Sequence, residues 1–232
     1  MVGATNESMR IAWLERTLAK LPEGSRILDA GAGECPLKHL CDHLIYVSQD
    51  FAQYDGHGNE NGLQMGSWNQ EGLDIVGDIT AISEPDASFD AIMCVEVLEH
   101  LPDPLAALRE LGRLLKPDGH LILTAPFCSL THFSPFHFAS GFNRHFYERH
   151  LPEQGLDILE LEANGNYFKY LSQELRRLPS IGERYASSSP SRLERVALRF
   201  ALQMLERFSA RDRNSDELLC FGYHVFAKKR GE

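Results

Sequence analysis

The chain has 232 residues, 43% of them hydrophobic, enough for one well-cored domain. Its 23 basic against 33 acidic side chains leave a net charge of −10, which argues against a protein that grips nucleic-acid phosphates through clustered lysine and arginine. Five scattered cysteines without a C-x-x-C pair argue against a disulfide framework or a zinc site, and no stretch resembles a signal peptide or a membrane span, so a soluble protein of a reducing cytoplasm is expected.

The first informative element is Arg26-Ile27-Leu28-Asp29-Ala30, too short for a helix and bounded by turn residues, hence a buried strand ending in an acid. It breaks into Gly31-Ala32-Gly33-Glu34-Cys35, where residues without a Cβ let backbone approach a ligand closely. A dinucleotide fingerprint would need a third glycine at position 36, which is Pro36. Leu44 to Asp50 reads as a second strand ending in an acid, about 20 residues on, where a ribose-binding carboxylate belongs in such folds. Leu73 to Ile79 is a third strand-like run with Asp78 at its carboxyl end, and Ser88 to Val95 a fourth that leads into Glu96, Glu99 and His100. The spacing of Leu105, Leu108, Leu111, Leu114 and Leu115 predicts a helix from about Asp103 to Leu115. Lys116-Pro117-Asp118-Gly119 then predicts a turn, and His120 to Ala125 a fifth strand. Strands alternating with helices at this rhythm imply a parallel sheet with helices on both faces.

Past Ala125, Pro126 to Phe138 packs aromatics, His132, His137 and two prolines into a loop on the rim where the earlier strands end. A helix from about Asn143 to Gln154, a strand at Leu156 to Leu161 and a last strand at Leu218 to Ala227 follow. Between those strands, Tyr167 to Leu178 and Ser191 to Phe208 read as helices joined by Pro179-Ser180-Ile181-Gly182 and a serine run. Ser191 with Glu194 has capping-box spacing, and the second helix carries an apolar stripe that includes Leu193, Val196, Phe200, Met204 and Phe208. The arginines gathered between Arg176 and Arg199 fit the solvated faces of these helices better than a binding patch.

Asp29-x-Gly31-x-Gly33 resembles the first motif, D/E-x-G-x-G-x-G, of class I S-adenosylmethionine-dependent methyltransferases, with Cys35 in place of the third glycine. The segments from about residue 9 to 128 follow that family's motifs in order and spacing. Val97 to Pro104 with Leu115 to Gly119 is similar to the small-molecule branch that includes the ubiquinone-biosynthesis O-methyltransferases. The resemblance implies an α/β, Rossmann-like, seven-stranded sheet, mostly parallel with an antiparallel last strand. One domain would then span residues 1–232, with residues 163–217 as a helical insertion before the last strand, serving as a lid or a homodimer contact.

S-adenosylmethionine is the cofactor implied. Gly31 and Gly33 would line its amino-acid part, with Asp29 orienting the loop or the ammonium group. Asp50 would accept from the ribose hydroxyls and Phe51 would pack beside the adenine. Asp78 would accept from the adenine amino group, Ile79 would give a backbone contact to the ring, and Glu96 would lie near the methionine part. If the acceptor is a hydroxyl, His132 and His137 are the candidate general bases, with His145 and Tyr147 as second choices. Glu99 and His100 fit a structural role as well as a catalytic one. No Asp/His cluster has metal-ligand spacing along the chain, so metal-independent chemistry is expected. The Asp/Asn-Pro-Pro-aromatic motif of base-modifying amino methyltransferases is missing after strand four. A small-molecule or sugar-linked acceptor methylated at oxygen is therefore the leading expectation. The alternative is a catalytically silent protein of this fold, against which the acids at 29, 50 and 78 argue; a nicotinamide oxidoreductase ranks third.

Overall fold

In a computed structural model, which describes residues 2–54, 63 and 69–231, the chain forms two compact units. Residues 13–162 and 222–232 make one, residues 1–12 and 163–221 the other. The chain order is α1 (Asn6–Leu18), β1 (Arg26–Ala30), β2 (Ile45–Asp50), β3 (Ile75–Val76), β4 (Phe89–Val95), α2 (Pro104–Leu114), β5 (Leu115–Pro126), α3 (Arg144–Glu153), β6 (Leu156–Asn164), α4 (Tyr167–Ala186), α5 (Arg192–Ser209) and β7 (Gly222–Lys229). The strands form one sheet in the order β3-β2-β1-β4-β5-β7-β6. β3, β2, β1, β4 and β5 run parallel, and β7 is antiparallel to its neighbours β5 and β6.

Central strands of a parallel sheet are covered on both faces, so their residues are apolar in continuous runs. Ile27 and Leu28 in β1, Ile92 and Met93 in β4, and Leu121 to Leu123 in β5 are all fully buried. Each such side chain contributes about 1.5–3 kcal/mol by leaving water. The chain leaves β1 for β2 and β3 on one side, then returns to β4 on the other. Such a reversal opens a crevice at the carboxyl ends of the strands, where ligands bind in sheets of this kind.

α2 starts where the Asp103 side chain accepts from the Ala106 N–H, with Pro104 as its first residue, and buries Ala107, Leu108, Leu111 and Leu114. It ends at Leu115, whose backbone is already extended. The predicted turn at residues 116–119 lies within β5 rather than ahead of it: Phe89 pairs with Leu115 and the register resumes only at Ala91 with His120, while Asp118 is left-handed at φ +64°. The third strand is also shorter than predicted, only Ile75–Val76.

In the other unit, α4 runs to Ala186 through the predicted break at Pro179. Pro179 has no N–H to offer the Leu175 carbonyl one turn back, and next to it the Ser180 hydroxyl donates to the Arg177 carbonyl at 2.8 Å. α5 opens on the expected capping box of Ser191 and Glu194. Its stripe is exposed, with Leu193 79%, Phe200 68% and Val196 44% accessible, while Leu205 is buried. The amino-terminal residues join this unit: Arg176 Nε donates to the Val2 carbonyl at 2.7 Å and Asn164 Nδ2 to the Asn6 carbonyl at 3.1 Å. No helix among the described residues is long and apolar enough to cross a membrane.

Candidate functional site

β1 and β2 align Asp29 with Ser48 and Ala30 with Gln49. Beyond that register the Gly31 and Ala32 N–H groups both donate to the Gln49 carbonyl at 2.9 Å, which latches the turn onto β2. Gly31 has φ +82° and a Cβ there would collide with the Val97 side chain. Gly33 has φ +53°, and its N–H donates to Asp50 Oδ2 at 3.0 Å. Cys35, at the position of the motif's third glycine, keeps the left-handed backbone at φ +56°. The loop thus retains its shape there without the residue that adopts it most easily. Glu96 is likewise left-handed at φ +55°, with its carboxylate accepting from Thr124 Oγ1 at 2.8 Å.

Two acids meet at this turn, both buried: Asp29 and Asp50. Burial pushes the Asp29 carboxyl up to about 7; the Tyr46 hydroxyl, which donates to it at 2.6 Å, opposes this, and the neighbouring Asp50 charge adds to it. Tyr46 is a residue that sequence reasoning passed over. Its signal was the period-two alternation along β2, which sets Tyr46, Ser48 and Asp50 on one face. Asp50 accepts the Gly33 N–H through one oxygen and the Ala52 N–H through the other, at 2.9 Å. That second oxygen also accepts from Gln70 Nε2 at 3.4 Å, and since a carboxylate oxygen has two acceptor sites, Oδ2 retains capacity for a further donor.

On the far side of β2, Gln49 Nε2 donates to the Gly77 carbonyl at 2.7 Å and holds the segment that carries Asp78 and Ile79. Asp78 is exposed and its Oδ1 accepts from both the backbone and hydroxyl of Thr80 at 2.8 Å, while Ile79 is buried. Phe51 meets Phe136 edge-on with ring centres 4.9 Å apart. This contact joins the end of β2 to the aromatic loop that follows β5.

That loop folds His132 and His137 against His100, which sits just after β4. Ring centres are 4.6 Å apart for His100 and His132, 4.9 Å for His132 and His137, and 5.9 Å for His100 and His137. The Glu99 carbonyl accepts the Phe138 N–H at 2.9 Å, which pins the loop's end. Burial holds His100 at about 4, well below the ordinary imidazole, and burial beside His132 also lowers His137. The Ser129 hydroxyl donates to the Ser140 carbonyl at 2.9 Å, so it accepts from His137 Nε2 at 3.1 Å, an assignment made from this network. The second-choice residues lie on α3, where His145 is exposed and paired with Glu148 at 3.0 Å and Tyr147 is buried.

Residues 5–178 match the family described as a methyltransferase domain. The ubiquinone biosynthesis O-methyltransferase of Xanthomonas axonopodis pv. citri is 37% identical over 119 residues, 48% of this chain and 47% of that one. The chain spans about half the length of the curated relatives it matches. Among solved structures, a SAM-dependent methyltransferase from Archaeoglobus fulgidus aligns with a TM-score of 0.56 at 18% identity, over 96% of this chain and 94% of that one. Phosphoethanolamine N-methyltransferase 2 of Haemonchus contortus, in complex with S-adenosylmethionine, gives 0.54 at 16% identity, over 97% and 53%. At such identities these structures carry the likeness of fold alone.

Proposed function

The chain belongs to the methyltransferase-domain family, whose cofactor is S-adenosylmethionine, and on that premise we propose that it passes the cofactor's methyl group to a hydroxyl oxygen of a small-molecule or sugar-linked acceptor. The observation that carries this reading is the buried acid pair, Asp29 and Asp50, on a glycine turn at the switch point of the sheet. A buried carboxyl with a raised pKa is a ready partner for a cation, and the cofactor brings an ammonium and a sulfonium. Asp29 would orient the ammonium group, Gly31 and Gly33 would line the amino-acid part, and Asp50 would accept from the ribose hydroxyls. Phe51 would pack beside adenine, Asp78 would accept its amino group, Ile79 would contact the ring, and Glu96 would flank the methionine part. The relatives named ubiquinone biosynthesis O-methyltransferase support oxygen as the receiving atom. The five free thiols support a cytoplasmic setting.

Transfer is an in-line displacement: the acceptor oxygen forms a bond to the methyl carbon while the carbon–sulfur bond breaks and its electron pair stays on sulfur. The chain's tasks are to align the two, exclude water and take the acceptor proton. His132 and His137 are the proposed bases. Of the two, His137 has a pKa lowered by burial, which favours the neutral, proton-accepting form near pH 7. The test is turnover of methyl-labelled cofactor against a panel of phenolic and sugar-linked hydroxyl compounds. Label should move to an acceptor oxygen, and His137→Ala should lower kcat by about 10²–10⁴-fold. Cofactor binding without transfer to any acceptor would instead favour the silent-binding alternative.

A further inference from the structure

We propose that Glu99, His100 and His132 form a binding site for a divalent first-row transition metal ion, with zinc as the type case. One ligand atom from each of the three lies within 4.8 Å of the other two. Two imidazole nitrogens and one carboxylate oxygen are a donor set suited to such ions, and three protein ligands leave a position open for a further oxygen.

The hydrogen bonds orient the rings for this use. His100 Nδ1 lies 2.5 Å from the Phe136 carbonyl and must donate to it, so in the neutral ring the lone pair sits on Nε2. That nitrogen is buried without a hydrogen-bond partner among the described residues. It faces Glu99 Oε1 at 3.7 Å, and the Glu99 side chain is only 1% exposed. Two acceptor atoms turned towards each other in a buried place call for a positive charge between them. His132 Nδ1 donates to the Leu130 carbonyl at 2.8 Å, which likewise leaves its Nε2 lone pair available. Tetrahedral zinc, with bonds of about 2.0–2.1 Å, sets its ligand atoms roughly 3.4 Å apart. His132 is on a partly exposed loop, so a small ring movement would close the difference.

The site was illegible in the spacing because its ligands come from two chain segments, one after β4 and one after β5. Its use in catalysis rests on the methyl-transfer reading and narrows it. A metal-bound His132 Nε2, with Nδ1–H donating to the Leu130 carbonyl, has no lone pair left to act as a base. An acceptor oxygen in the open position would then lose its proton more readily, with His137 alone as the group that takes it. The binding site itself does not depend on that reading.

The test uses the full chain, stripped of metal, titrated with Co²⁺ and followed by visible absorption, then with Zn²⁺ in competition. We expect one equivalent to saturate with the intense bands of a low-coordinate cobalt site, and zinc to displace it. His132→Ala should weaken binding by at least about 10-fold, and His145→Ala should leave it unchanged. Circular dichroism checks the fold, and Glu99→Gln repeats the test on a second ligand. The proposal is overturned if the parent chain takes up no saturating equivalent, or if His132→Ala and Glu99→Gln both bind as the parent does. S-adenosylhomocysteine binding, measured on the same samples, separates the two ideas: its loss would strike the methyl-transfer reading and leave the metal site standing.

Discussion

Asp29 is the residue whose environment most clearly encodes a function. Its carboxyl titrates near 7 in the folded chain against about 3.9 unfolded, mainly because it is buried. Between these values the folded chain holds a proton that the unfolded chain has released. Stability is therefore greatest below the lower value and falls as pH rises towards 7, by at most about 1.4 kcal/mol per pH unit from this group. A bound ammonium reverses the preference, because it favours the ionised carboxylate. Affinity for S-adenosylhomocysteine should thus increase as pH rises to about 7 and then level off, and Asp29→Asn should flatten that profile. Calorimetry at a series of pH values checks it; an unchanged slope in the variant would remove Asp29 from contact with the ligand. The strand-end acids were legible in the sequence because a carboxylate closing an apolar run is conspicuous. Tyr46 was not, because a tyrosine within a strand reads as core until its partner across the sheet is known.

Among the elements, the glycine turn is the most constrained. Gly31→Ala must place a Cβ against Val97 at a positive φ, and should cost about 1–3 kcal/mol in thermal unfolding together with cofactor affinity. Cys35→Gly meets the opposite situation, since the left-handed backbone at φ +56° is already in place. It should leave affinity within about twofold, because gained ease in the fold offsets gained freedom in the unfolded chain. If both variants behave alike, the turn's shape does not govern the site. Long periodic elements were legible: β1, β2, β4, α2 and α5 lie within a residue or two of their predicted bounds. The misses have physical reasons. β3 pairs over only Ile75–Val76, too briefly for a pattern, and α4 runs through Pro179, giving up one backbone bond within a helix of 20 residues. The histidine cluster was half legible. The loop announced His132 and His137 by composition, but only tertiary folding brings them to His100.

At the scale of the whole molecule, the sheet order with β1 between β2 and β4 puts the motif-bearing ends at one switch point, and the family likeness extends over residues 5–178. The segment 163–217 stands apart in what it asks for. The α5 stripe leaves Leu193, Val196, Phe200, Met204 and Phe208 each at least 40% exposed, an apolar face of the kind that marks interaction sites. We propose that this segment covers the acceptor or joins two copies of the chain. Replacing residues 183–212 by a short linker should abolish acceptor turnover while sparing cofactor affinity, or split a dimer seen by light scattering; if stability, oligomeric state and turnover all persist, neither role holds. The central claim, a methyl-donor site built on Asp29, the glycine turn and Asp50, is tested most directly by calorimetric titration of the full chain with S-adenosylhomocysteine and, separately, NADH. The account predicts one saturable site for S-adenosylhomocysteine, no binding of NADH, and about 10–150-fold weaker binding in Asp50→Ala through loss of a charged acceptor worth roughly 1.5–3 kcal/mol. Binding of NADH alone, or S-adenosylhomocysteine affinity unchanged by Asp50→Ala, would contradict it.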